Sequence, residues 1–165
     1  MSGDRFYAVL IGLSGWKLWA VAGLLGAIGS LAFAPIYMVP VLVPALTGLL
    51  LFCTNAARVR AAFIIGWWFG FGHFAAGFYW VGNSFVVAGV GVFAGIVAVA
   101  ALAATAALSI ALVGAVCNIA RLSGVSQVVL FASLWTLTEW GRSFFILGGF
   151  PWSLIGYVWG FSDNM

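Results

Sequence analysis

Charge is what this chain has least of. Nine of its 165 residues are ionised at neutral pH: Arg5, Lys17, Arg58, Arg60, Arg121 and Arg142 against Asp4, Glu139 and Asp163. That is 5%, where soluble domains carry about 25%. A water-soluble globule of this length could not cover its surface with so few. The scarcity excludes an ordinary soluble enzyme and a disordered chain. It also excludes a nucleic-acid partner, because six dispersed basic residues make no electrostatic footprint even at an isoelectric point of about 9.2. Histidine occurs once, at His73, without thiolate or carboxylate neighbours in sequence. Neither a metal centre nor a cofactor is therefore expected. Cys53 and Cys117 have no adjacent lysine or acid to stabilise a thiolate, and read as buried free thiols.

What remains is hydrophobic: 65% of the residues are apolar or aromatic, and mean hydropathy is +1.22. A chain with so little water-compatible surface is expected to be an all-α integral membrane protein. It reads as a single domain over 1–165, a bundle of about five transmembrane helices with a sixth, partial apolar element at the C-terminus.

Charge-free runs place the spans. The run 18–57 contains Pro35, Pro40 and Pro44 and must divide. One helix is expected over about 18–33, because the residue before a proline avoids helical geometry. A second is expected over about 39–53, with Pro40 in its first turn. The run 61–120 has its weak point at Gly82-Asn83-Ser84. That predicts helices at about 61–81 and 90–117 with an 82–89 loop between them. After a polar connection over 121–127, a fifth helix is expected at about 128–141. Gly148, Gly149 and Pro151 then mark an outer-face loop over about 142–152, followed by an apolar element over 153–161. The N-terminus has a rival reading as a signal peptide ending in Leu31-Ala32-Phe33-Ala34. Lys17 in mid-segment and Pro35 directly after the cut speak against it.

Five alternating spans put Arg5, Lys17, Arg58, Arg60 and Arg121 on one side and Arg142 on the other. The positive-inside rule then predicts a cytoplasmic N-terminus. Trp80, Trp135, Trp140 and Trp152 would form one interfacial belt, and Trp16, Trp19, Trp67 and Trp68 the other. The pairs Gly66/Gly70, Gly91/Gly95 and Gly156/Gly160 match a helix-packing motif. With 22 glycines, however, chance alone supplies about three such pairs. His73, mid-span, reads as a hydrogen-bonded packing residue. Glu139 and Arg142, three apart, should share a helix face and be able to pair. They read either as an ion pair fixing the helix end or as a charged rim that orients a phospholipid head group or an adjoining domain.

Three stretches are more specific. They are Gly29-Ser30-Leu31-Ala32-Phe33-Ala34-Pro35; Gly66-Trp67-Trp68-Phe69-Gly70-Phe71-Gly72 with Gly77-Phe78-Tyr79-Trp80-Val81; and Leu134-Trp135-Thr136-Leu137-Thr138-Glu139-Trp140-Gly141-Arg142 followed by Gly149-Phe150-Pro151-Trp152 and Gly156-Tyr157. In this order the chain, from about residue 18 to 160, resembles the N-terminal membrane part of bacterial apolipoprotein N-acyltransferase. The resemblance implies an inner-membrane enzyme with its catalytic side periplasmic. Its acyl donor would be a phospholipid, and its acceptor the N-terminal diacylglyceryl-cysteine of a lipoprotein. It also implies a nitrilase-like domain as partner, in which a cysteine thiol is acylated, a glutamate acts as base and a lysine stabilises the oxyanion. Lys17, Glu139, Cys53 and Cys117 cannot supply that set from their expected positions, so the chain reads as an N-terminal fragment, inactive by itself. Its substrate-binding candidates are the outer-face residues Trp80, Asn83, Glu139, Arg142, Phe150, Pro151, Trp152 and Tyr157. Aromatic side chains on a proline-fixed turn would present rigid apolar surface there, and Arg142 would meet a phosphate. The competing readings are a small transporter or channel using Glu139 and His73, and a non-enzymatic membrane anchor.

Overall fold

Proline, glycine and one buried phenylalanine set the helix boundaries. The computed structural model describes residues 15–145 and 152–160. Helix α1 (Trp16–Gly29) starts after Gly15 and tightens into a 3-10 turn, Ser30–Ala32, ahead of Pro35. A second 3-10 turn, Val39–Val41, holds Pro40 and leads into α2 (Leu42–Asn55). Pro44 sits in the first turn of α2, where no backbone N–H is needed.

Helix α3 (Val59–Gly77) ends earlier than the expected residue 81. The chain bends by 47° at Phe78 and continues as α4 (Tyr79–Val87). Gly82, Asn83 and Ser84 are therefore helical, and the expected 82–89 loop shrinks to 88–91. Phe78 is fully buried, stacks on Phe74 with ring centroids 5.3 Å apart, and has φ −102 and ψ 12, outside the helical range. The bend lays Gly82 on Gly95 of α5 (Val92–Ala120). A Cβ on Gly95 would lie 2.6 Å from the Gly82 carbonyl oxygen. Helix α6 (Gly124–Phe145) starts before the expected Val128 and runs past Gly141, so Gln127 and Arg142 are helical rather than connecting. The expected 142–152 loop can begin only after Phe145. Phe150 and Pro151 lie outside the described residues, as do residues 1–14. The expected C-terminal apolar element is a 3-10 turn, Ile155–Trp159. Among the described residues every regular element is helical.

Helix α3 is the centre of the bundle. It crosses α1 where a Cβ on Gly26 would run into the Phe69 carbonyl, and one on Gly72 into that of Gly23. It crosses α5 where a Cβ on Gly66 would lie 2.7 Å from the Ile110 oxygen and one on Gly70 2.9 Å from the Ala107 Cα. The Gly66/Gly70 pair, dismissed by counting, is thus a true crossing point of small residues. Gly156 meets nothing within 4 Å, so the Gly156/Gly160 pair is not. Counting weighs all pairs alike, whereas only glycines facing a neighbouring backbone matter.

By length and composition, α5 is apolar enough to cross a membrane alone, and α3 with α4 passes as a bent pair. The 17-residue stretches Trp16–Ala32 and Val39–Asn55 are shorter apolar helices, at the lower end of what spans a bilayer, about 17–25 residues. Outward positions of α5 are apolar too: Phe93, Ile96, Val97, Leu112 and Ile119 are exposed. Trp67 and Trp68 lie halfway along α3, not at an end. The Trp67 indole N–H donates to the Ala104 carbonyl at 3.2 Å, so it packs the α3–α5 interface instead of joining a belt. Trp135 is buried, whereas Trp16, Trp80, Trp140 and Trp152 are exposed.

With α4 continuing α3 through the bend, the other helices alternate in direction, which sorts charge by end. Lys17, Arg58, Arg60 and Arg121 fall at the end where α1 begins and α2 meets α3. Glu139 and Arg142 fall at the other.

Candidate functional site

Three segments far apart in sequence meet at the end opposite the basic residues. After the Ser30–Ala32 turn, the amides of Ile36 and Tyr37 donate back to the Phe33 carbonyl, curling residues 33–37 into a tight loop. The α3–α4 bend brings Gly77, Tyr79 and Trp80 beside it. Trp152, Ser153, Gly156, Tyr157 and Trp159 close the far side. Between them lies an open cavity of about 740 Å³. The Trp80 and Trp152 rings meet edge to face with centroids 5.5 Å apart, and are 42% and 49% exposed. Edge-to-face contact suits the ring quadrupoles.

A bracket on α6 fixes the third segment. Arg142 donates from Nη1 to the Trp152 carbonyl at 2.6 Å and from Nη2 to that of Ser153 at 3.5 Å. Its guanidinium also lies over the Phe74 ring, 4.8 Å from the centroid. Glu139 Oε1 accepts the Ile155 backbone N–H at 2.8 Å and the Trp135 indole N–H at 3.0 Å. Glu139 and Arg142 still attract each other electrostatically, but their hydrogen bonds go to other groups. Among the described residues each side chain satisfies backbone groups of 152–155 that the 3-10 turn leaves open. Arg142 is 3% exposed, its guanidinium held by these carbonyls and the Phe74 ring.

The eight candidates thus separate. Trp80, Trp152 and Tyr157 share the large cavity. Asn83 lines a neighbouring, mostly apolar groove of about 460 Å³ between α3, α4 and α5. Glu139 borders a third cavity, of about 610 Å³, with Trp140 and Tyr157. Arg142 is turned inward, and Phe150 and Pro151 lie outside the described residues. Sequence reasoning missed Phe33, Pro35, Tyr37 and Tyr79 as cavity walls. Their signal was an aromatic beside a helix-ending glycine or proline.

His73 sits apart. Its Nδ1 lies 3.3 Å from the Gly26 carbonyl oxygen, and its ring touches those of Phe33, Phe69 and Phe74. It is 3% exposed and packs the α1–α3 crossing. At the basic end, the Asn118 amide donates to the carbonyls of Cys53 and Ala56 at 2.9 Å each. The Cys53 thiol donates to the Ala62 carbonyl at 3.6 Å. Both cysteines are buried and free.

The sequence matches the family model described as the apolipoprotein N-acyltransferase N-terminal domain over residues 25–163. It is 35% identical to the apolipoprotein N-acyltransferase of Allorhizobium ampelinum, covering 93% of this chain and 31% of that protein. The Brucella melitensis protein of the same name is 36% identical over the same shares. That of Rickettsia prowazekii is 34% identical, over 90% of this chain and 29% of its own length. The chain thus spans about three-tenths of the curated relatives it matches. A match over these residues places the chain in the family of apolipoprotein N-acyltransferase N-terminal domains.

Proposed function

We propose that this chain is the membrane-embedded, lipid-holding part of an enzyme that moves an acyl chain from a phospholipid to the amine of a lipoprotein's diacylglyceryl-cysteine. In that reading the basic end faces the cytoplasm, and the cavity end faces the periplasm of a bacterial inner membrane. The single observation that carries it is the convergence of residues 33–37, 77–80 and 152–160 on one aromatic-lined cavity. Each of these segments overlaps one of the three stretches that carry the family resemblance. An acceptor with two acyl chains needs apolar walls at bilayer depth with polar groups nearby. Trp80, Trp152 and Tyr157 supply aromatic wall with one hydroxyl, and Asn83 adds an amide in the neighbouring groove.

The chemistry implied by the family has two steps. A cysteine thiol takes the acyl group from the phospholipid and releases a lysophospholipid. The lipoprotein amine then attacks the thioester and releases the thiol. Lys17 and both cysteines lie at the basic end, and Glu139 at the other with Oε1 already accepting two hydrogen bonds. Within these residues no glutamate–lysine–cysteine set assembles. Their contribution is scaffold and substrate-holding surface, alongside a nitrilase-like partner domain. The transporter reading draws no support from His73, which three phenylalanine rings enclose.

The test uses the full-length gene product that carries this segment, purified into phospholipid vesicles with a diacylglyceryl-cysteine peptide. Amide formation at the expense of phospholipid acyl chains is expected. An intact peptide amine, with the protein folded and both lipids present, would sink the reading.

A further inference from the structure

Arg142 and Glu139, one turn apart on α6, both bond backbone of the third segment, and all three of these bonds fall within residues 152–155. Ser153 in that stretch is held at φ +59, a left-handed conformation that a residue with a side chain keeps only when its surroundings impose it. The same Arg142 guanidinium rests on Phe74, which stacks on Phe78 at the bend that delivers Trp80. One buried cation therefore touches the supports of both tryptophans that meet across the cavity. A neutral helix end would satisfy those carbonyls without linking the two walls.

We propose that Arg142 and Glu139 are positioning residues: through the backbone of 152–155 they hold Trp152 against Trp80, and so set how tightly the cavity grips a lipid-borne substrate that neither residue touches. The proposal rests on the reading of the cavity as the substrate-holding surface.

A double-mutant cycle in the full-length gene product tests it, reading KM and kcat for the diacylglyceryl-peptide separately, with thermal unfolding as the folding control. Trp152→Ala is expected to raise KM about tenfold, in the range of a lost aromatic anchor. Arg142→Met should raise KM to a similar degree with kcat little changed, because it acts through Trp152. In the Trp152→Ala background, Arg142→Met should then add no more than about twofold, the signature of coupled residues. Arg142→Lys keeps charge but loses the two-pronged donor, and should fall between wild type and Arg142→Met. Glu139→Gln keeps an acceptor oxygen for Ile155 and should raise KM less than Glu139→Leu. Should Arg142→Met unfold the protein, Arg142→Lys replaces it in the cycle. KM effects that multiply in the double variant, or a loss confined to kcat, overturn the positioning role while leaving the cavity reading standing. An unchanged KM in Trp152→Ala overturns the cavity reading and this inference with it.

Discussion

At the end where α2 runs into α3, the Asn118 amide reaches from α5 to two carbonyls, those of Cys53 and Ala56. At the opposite end, the Arg142 guanidinium reaches from α6 to two carbonyls, those of Trp152 and Ser153. Both are buried polar groups that satisfy backbone carbonyls, at the end of α2 in one case and in the non-helical residues 152–153 in the other. The results differ. Around Asn118 the space fills with cysteines and small residues, and the charged side chains Arg58, Arg60 and Arg121 stand exposed outside. Around Arg142 the tied segment stands off from α1 and α3 and leaves about 740 Å³ walled by aromatic rings. The same backbone tie closes one end and holds the other open. What it ties decides: at the basic end a helix terminus that packs directly, at the other a separate segment carrying bulky rings.

Three variants, two single and one double, probe that contrast, in descending size. Asn118→Leu removes both donors from buried carbonyls at the closed end and should lower unfolding stability by about 2–4 kcal/mol. Binding of a diacylglyceryl peptide at the cavity should stay within about twofold once the protein is folded. Equal loss of binding would mean the ends are not independent. Trp80→Ala should do the reverse. Losing one edge-to-face contact at a half-exposed site costs about 1 kcal/mol of stability, while affinity for the same peptide should fall about tenfold, as for a truncated aromatic anchor. A stability loss without an affinity loss would reduce the cavity to packing. Neutralising the exposed cations with Arg58→Gln and Arg60→Gln should move stability by less than about 0.5 kcal/mol. It should still lower the fraction of molecules oriented with that end in the cytoplasm. A Tyr79→Cys reporter labelled from either side reads this, since Cys53 and Cys117 are buried. Orientation that does not respond would remove the charge-based topology.

Much of the architecture was legible because it follows from composition and punctuation. Pro35, Pro40 and Pro44 divide the first run, and a polar stretch beginning at Arg121 separates α5 from α6. Misreadings arose where a contact distant in sequence overrode a local signal. Gly82-Asn83-Ser84 looks like a break, yet it is helical because Gly82 packs on Gly95. Phe78 carries no breaker signature, yet the chain bends by 47° there, at a fully buried ring. Glu139 and Arg142 have ion-pair spacing, but backbone groups of 152–155 claim both side chains. Of the candidates the resemblance singled out, Trp80, Trp152 and Tyr157 share one cavity. Nothing in the linear order told that Phe33 and Tyr37 would join them while Asn83 faced another groove.

The sequence by itself determined an all-helical, charge-poor chain with its cations gathered at alternate turns, because hydropathy, proline and charge act through near neighbours. Only the tertiary structure decided which glycines carry helix crossings, where α3 bends, and that three remote segments enclose one space. Those outcomes depend on backbones and rings meeting across long stretches of chain, a geometry that no local pattern encodes.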